Sequence, residues 1–500
     1  MPFVFQVVPD WPPLAWLAKC QATNSNVTIF HGPSVETSDD WFCEAVWAGD
    51  YSSGDFDQTD IVAGSGARLR AGKIVFVSSG AIHDRVHSLQ VEDGVRVSNS
   101  LICLLAAIDA SADLSYLEYQ EHFASFRYGL DKYIRDLPTS AKPVQLTYFN
   151  NLVWDGDTLR EEVKPGGDLD LSDFTRYRDF LASSMQQMAD NISDRGRRYP
   201  YTMLCALSNG YDSPTVATLA SQAGCLEAMT FGVDRNGRDD SGESIAAKLG
   251  LQCHSVSRDA WRSAALPEVP FIACSGSVGD IAFKGAETHL AGKVLLTGMT
   301  DTWDKEIKDM ISDGAGLGLT EYRLWAGFIH CPLPMWGIRQ LKQVNAISNS
   351  PDMKPWDIDH WYSRPICRRI VEEGGIPRDL FGMGKRGLSV VPLTKRDFLS
   401  PPSREDFLNW LAERREKSTD GGSTLPSPLL AKLLDGFLAP STRLSRKLYA
   451  LTSVRGVRRL RWLGKTGKAV VDTLSRPYYH HKYVVHWAID RAKERYSPLL

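Results

Sequence analysis

The chain has no uncharged apolar run of about 18 residues, so no segment reads as a membrane-spanning helix. It has no C-x-x-C pair. Its nine cysteines are scattered from Cys20 to Cys367, which argues against a zinc site or a disulfide frame and for buried thiols in a reducing compartment. No internal repeat is found, and the net charge of -3 over 500 residues points to no class of partner. The opening MPFVFQVVPDWPPLAWLAKC has no basic start ahead of its apolar stretch and is broken by prolines, unlike a secretory signal. Hydrophobic residues make up 43% and charged residues 23%, the composition of a soluble globular protein, and a cytoplasmic location is expected. A chain of this length exceeds one hydrophobic core, so two or three domains are expected.

The first hundred residues read as β-rich. IVAGSG (61–66), KIVFVS (73–78), HSLQV (87–91) and VRVSNSL (95–101) are separated by Gly, Asp and Asn turn signals. A helical stretch is expected over 101–135, then strand-like text in VQLTYFNNLVW (144–154). The turn-rich VKPGGDLDLSD (163–173) marks a boundary. After it the period changes: an amphipathic helix over 174–192 with Asp173 as N-cap, then strands at 202–208, 226–233, 253–257 and 293–298. Helices are expected between them at 213–224, 240–251 and 280–292. Strands alternating with helices of about 11 residues predict a doubly wound parallel sheet. The stretch 443–500 carries fourteen Lys/Arg against three acids. Its interleaved aromatics suit an ion-paired helical face, or an electrostatic dock for an anionic surface such as a membrane leaflet, a lipid-linked sugar phosphate or RNA.

LCALSNGYDSPTVATLA (204–220) places a polar loop between a buried strand and a helix. Ligands of open α/β sheets bind beyond such strand ends, where free N–H groups and the helix dipole favour an anion. Gly210 lets the backbone close on phosphate oxygens, Ser208 and Ser213 offer hydroxyls, and Asp212 suits a Mg²⁺ ion rather than phosphate. Read alone, the loop is also an ordinary helix cap. GAGLGL (314–319) follows no clear strand and reads as a plain loop. GKTGK (464–468) lacks the spacing of a phosphate-binding P-loop.

The loop resembles the S-G-G-x-D-S pyrophosphate loop of the asparagine synthetase-like ATP pyrophosphatases, with Asn209 at the second position, a mild change if Asn209 adopts a left-handed conformation. TFGVD (230–234) is similar to the segment along the adenosine, and DDSGESIAAKLGLQCH (239–254) to the acidic helix that follows. LLTGMTDTWD (295–304) stands where the family has its second glycine-and-carboxylate loop. It keeps Gly298 but has Thr300 near the second glycine. RPICRRIVEEGGIPRDLFGMGKRGLSV (364–390) resembles the C-terminal signature with its catalytic lysine, here Lys385. The resemblance covers roughly 170–395. Residues 1–170 more weakly resemble the family's glutaminase-type domain. That domain's amidotransferases use a cysteine at position 2. Pro2 stands there and the first cysteine is Cys20, which resembles the β-lactam synthetases and lasso-peptide cyclases.

The resemblance implies a glutaminase-like Ntn-type scaffold without activity (1–170), a doubly wound ATP pyrophosphatase domain (171–400) and a basic, mainly helical C-terminal region (401–500). It implies ATP and Mg²⁺ as cofactors. Ser208, Asn209, Gly210, Asp212, Ser213, Phe231, Gly232, Thr297, Gly298 and Lys385 would contact ATP, and Asp212 with Asp301, or Asp304 in its place, would hold the metal. The implied activity is an AMP-forming amide ligase that joins a small-molecule, peptide or sugar carboxylate to an amine or ammonia, in natural-product or polysaccharide biosynthesis. DNA is not an expected partner. Two other readings stand beside it: adenylation of a nucleobase or other carbonyl for thiolation, and a degenerate nucleotide-binding scaffold. His254 and Glu243 read as structural. EYRLWAGFIHCPLPMWG (321–337) is expected to line the substrate pocket.

Overall fold

The computed structural model describes residues 1–21, 26–166, 169–234, 236–299, 302–306, 314–360, 362–384, 398–417 and 483–496. The N-terminal part is β-rich. A seven-stranded sheet runs from edge to edge through Phe3–Val7, Val27–His31, Trp16–Gln21, Gly94–Ser98, Val86–Val91, Val144–Thr147 and Asp136–Leu137. A six-stranded sheet runs through Leu159–Glu162, Asn151–Trp154, Lys73–Val77, Val62–Arg70, Trp41–Trp47 and Glu36–Thr37. Side-chain alternation along the strands builds the layers. Trp16, Phe42 and Phe76 meet in the apolar layer shared by both sheets, with Trp16 stacked on Phe76. Trp41, Cys43, Ala45 and Trp47 go to a different apolar cluster.

The helix expected over 101–135 is only Leu101–Ala107, capped by Ser100 Oγ, which accepts from Cys103 N at 3.0 Å. Asp109 at φ 47° leaves the helical path, and the Asp/Ser-rich text that follows turns instead. Shorter pieces follow at Tyr119–Phe123 and Ser125–Tyr128. VQLTYFNNLVW is likewise two strands, one in each sheet.

Helix α1 (Phe174–Ile192) begins where Asp173 Oδ1 accepts from Arg176 N at 3.0 Å. Five strands then form an all-parallel sheet: β1 (Thr202–Ala206), β2 (Glu227–Thr230), β3 (Gln252–Ser255), β4 (Lys293–Thr297) and β5 (Ile329–Pro332). Their order is β3-β2-β1-β4-β5, so the order reverses between β1 and β4. Helix α2 (Asp212–Gln222) follows β1, and α3 (Glu243–Leu249) follows β2 and ends at left-handed Gly250. The helix expected over 280–292 is instead a 3-10 turn, Ile281–Ala286, and a short helix, Glu287–Leu290. Gly285 there lies so close to Ala260 that a Cβ would stand 2.8 Å from the Ala260 Cβ, so this stretch follows packing rather than helical period.

Helix α4 (Leu319–Ala326) is buried on every side and ties the sheet to the N-terminal part. Its Arg323 donates to Glu44 Oε1 at 3.0 Å and pairs with Asp84, all three side chains fully buried. Helix α5 (Pro365–Glu373) packs on α2. Beyond it, α6 (Pro401–Lys417) meets α7 (Val484–Lys493) through Asp406, which accepts from Arg491 and from Trp487. In the described part of the basic tail, Val485, His486 and Trp487 are buried and Arg491 is ion-paired; the remainder of that tail lies outside the described residues. No helix among the described residues is long and apolar enough to cross a membrane.

Candidate functional site

The reversal of strand order between β1 and β4 opens a crevice at their carboxyl ends, the place where such sheets take ligands. A cavity of about 430 Å³ lies there. One wall is the loop after β1. Ser213 Oγ accepts from Ser208 N at 3.0 Å and sits 3.1 Å from Ser208 Oγ, which closes the loop across the start of α2. Ser208, Gly210, Asp212 and Ser213 all line the cavity. The loop after β4 is pressed against it. A Cβ on Gly298 would stand 2.6 Å from the backbone carbon of Asp212 and 2.7 Å from Ser213 N, so only glycine fits. Thr297 and Gly298 line the cavity, as do Phe231 and Gly232 from the end of β2. Phe231 is held edge-on to Phe283 at 5.3 Å. Thr297 Oγ1 meets His330 Nε2 at 2.9 Å, and burial first, then His83 and Arg323, keep His330 well below its ordinary pKa and therefore neutral.

The third segment also arrives. Gly382 N donates to Gly210 O at 3.0 Å and Met383 N to Asn209 O at 3.4 Å. Gly382 abuts the Tyr211 ring, and the Tyr211 hydroxyl accepts from Arg368 of α5 at 2.6 Å. Two of the expected site residues, Lys385 and Asp301, lie outside the described residues. Asp304 is placed: its Oδ1 stands 2.6 Å from Arg364 Nη1, and Asp212 Oδ1 stands 3.4 Å from Arg364 Nε. The Arg364 side chain is 1% exposed. Burial first and the Asp212 carboxylate second raise the Tyr362 hydroxyl above its ordinary pKa, so it stays protonated at this rim.

Asn209 departs from the expectation. It is not among the positive-φ residues and does not line the cavity. Its side chain is buried and donates to Asp239 O at 3.3 Å, so it anchors the loop to the segment before α3. Segment 321–337 does not line this cavity either: it forms α4, β5 and the turn after them, mostly core, and its Met335 and Gly337 line a separate cavity of about 220 Å³. The GAGLGL loop, given no role from its sequence, does line it. Asp280 accepts from Gly316 N and Gly318 N at 2.9 Å each, which holds that loop in the wall. The glycine density of 314–318 was the available signal. Tyr362 and Arg127 carried none, because only the folded chain brings them here. His254 is structural as expected, bonded to Glu227 at 3.1 Å and stacked on His289.

Among the described residues no group of three or more His, Cys, Asp or Glu gathers as a metal site. Mg²⁺ does not require one: it is commonly held by one or two carboxylates with phosphates and water completing the octahedron. Two carboxylates converging on one buried cation fit that donor set. The chain matches no protein-family model, and no curated protein is detectably similar to it.

Proposed function

We propose that this cavity binds ATP and that the protein is an AMP-forming amide ligase of the asparagine synthetase-like ATP pyrophosphatase type. The observation that carries the reading is the meeting of three distant segments, 208–213, 297–298 and 382–383, at the switch point of a parallel sheet. On this reading residues 1–170 are a glutaminase-like Ntn-type scaffold, and 171–400 the ATP pyrophosphatase domain.

Ser208, Gly210 and Ser213 would hold the β- and γ-phosphates at the start of α2, where backbone N–H groups and the helix dipole favour anions. Phe231 and Gly232 would flank the nucleoside. Asp212 and Asp304 would hold Mg²⁺, which when bound neutralises charge on the phosphates. A substrate carboxylate oxygen attacks the α-phosphorus as the bond to the bridging oxygen breaks, and pyrophosphate leaves. An amine then attacks the acyl carbon, AMP departs with the bonding electrons, and the amine proton goes to solvent. Lys385, by resemblance, would offset the charge that develops on the α-phosphate and pyrophosphate. The chain's part is mainly to align the reactants.

One observation favours a second reading. Arg364 already stands between Asp212 and Asp304, which suits a nucleotide-binding scaffold that has exchanged a metal for a side-chain cation.

Incubation with α-labelled ATP, Mg²⁺, and pooled carboxylic acids, amines and ammonium separates the two. Labelled AMP from wild type and not from Asp212→Asn or Lys385→Ala supports the ligase. ATP binding without AMP supports the scaffold, and no ATP binding rejects both.

A further inference from the structure

The ATP residues occupy only part of the cavity. Its other wall comes from the N-terminal part, through Gln120, Glu121, Ala124 and Arg127, facing Ser275 and Ser277. This wall is built rather than incidental. Gly276, at φ 65°, lies against Gln120 so closely that a Cβ would stand 2.8 Å from the Gln120 Cβ. Arg85, fully buried, donates from Nη2 to Cys274 O at 2.8 Å and lies 4.7 Å from the centre of the Phe123 ring. One side of the wall is thus keyed to the other at two places.

Arg127 is the unusual member. Its Nε is withdrawn from solvent, and among the described residues it finds no hydrogen-bond partner. No carboxylate among the described residues, Glu121 of the same wall included, is ion-paired with its guanidinium, which lies 5.6 Å from the centre of the Tyr128 ring. Asp280, in the same cavity, has its two oxygens committed to the backbone of Gly316 and Gly318. A buried Nε–H left without an acceptor carries a desolvation cost that an anionic ligand would remove. Its planar fork matches carboxylate or phosphate oxygens.

We propose that Arg127 binds a second anionic group on the acid that this site activates. The substrate is then a dianionic acid, one carboxylate presented to the nucleotide at the 208–213 loop and the other anionic end held by Arg127. The inference rests on the ligase reading for the role of the first carboxylate. It also gives the N-terminal part a direct share in choosing the substrate.

The test is calorimetric titration of the full chain with a ladder of dicarboxylates, malonate to adipate, beside the monocarboxylates of matching length. At least one dicarboxylate should bind wild type tenfold or more tightly than its monocarboxylate counterpart. Arg127→Met should abolish that preference, and Arg127→Lys should retain part of it. Equal binding of the two series, no binding of either, or an unchanged preference in Arg127→Met overturns the proposal. Thermal unfolding of both variants establishes that they are folded. A separate ATP titration of wild type tests the ligase reading alone: an anion site without ATP binding would reject that reading and leave Arg127 as an anion site of another kind.

Discussion

Replacing Arg364 with Met leaves the carboxylates of Asp212 and Asp304 facing the space its guanidinium occupied. The Arg364 side chain is 1% exposed, whereas those of Asp212 and Asp304 are 14% and 17% exposed. Breaking a fully buried pair costs about 3–5 kcal/mol and a surface pair about 0–1 kcal/mol. This case lies between, so the loss without divalent ions should be about 2 kcal/mol. The vacated site should then take Mg²⁺. With a dissociation constant on the order of 1 mM and about 10 mM Mg²⁺, binding to the folded state returns about 1.4 kcal/mol. Urea unfolding of wild type, Arg364→Met and Arg364→Lys, each in EDTA and in Mg²⁺, reads this directly. The variant's stability should rise with Mg²⁺ by about 1 kcal/mol more than that of wild type, with Arg364→Lys nearer to wild type. The same Mg²⁺ response in all three proteins would refute the convergence of Asp212 and Asp304 on one cation site.

Three further predictions follow from the packing and the titrating groups. Gly298→Ala forces a Cβ into the backbone of Asp212 and Ser213, which should cost about 1–3 kcal/mol and weaken ATP binding; thermal unfolding and equilibrium binding that both match wild type would contradict the close approach of the two loops. His122 is held down to about 4, mainly by burial and then by Arg85. A depressed histidine contributes stability that is present above its unfolded value of about 6.5 and lost as pH falls towards 4, roughly 3 kcal/mol for this group. The stability gap between wild type and His122→Gln should therefore shrink by about that amount from pH 7 to pH 4 in denaturant titrations, and a gap independent of pH would count against it. Asp173→Ala removes the cap of α1 and should cost about 1 kcal/mol by urea unfolding, with an unchanged midpoint as the contrary result.

Periodicity found the elements whose faces alternate cleanly. α1 begins at its expected cap, and β1, β2 and β4 fall within the expected runs, because inner strands of a covered parallel sheet demand short, continuous apolar text, while edge strand β3 starts one residue before its expected run. β5 was not legible: Ile329–Pro332 is four residues long and carries a His, a Cys and a Pro. The N-terminal strands Phe3–Val7, Trp16–Gln21, Val27–His31 and Trp41–Trp47 are legible only as β-rich text: Trp41–Trp47 is buried throughout, and VTIFH of Val27–His31 mixes polar and apolar side chains on its buried face. The site divides the same way. Ser208, Gly210, Asp212 and Ser213 were legible as one contiguous loop at a strand end. Asn209 could be assigned to that loop but not oriented, because its partner, the Asp239 carbonyl, is thirty residues away. Arg364 opens the 364–390 stretch that resembles the C-terminal signature, but its pairing with Asp212 and Asp304 is set by tertiary packing. Arg127 reaches the cavity from the N-terminal part, and nothing in its local text marks it.

The central claim is that the 208–213 loop holds the terminal phosphates of a nucleotide. It is tested most directly by titrating wild type and the Ser208→Ala/Ser213→Ala double variant with ATP and with AMP, each in Mg²⁺. Wild type should bind ATP at least tenfold more tightly than AMP, and the double variant should lose most of that difference while keeping its affinity for AMP. Equal affinity of wild type for the two nucleotides, or binding of neither, would contradict the account.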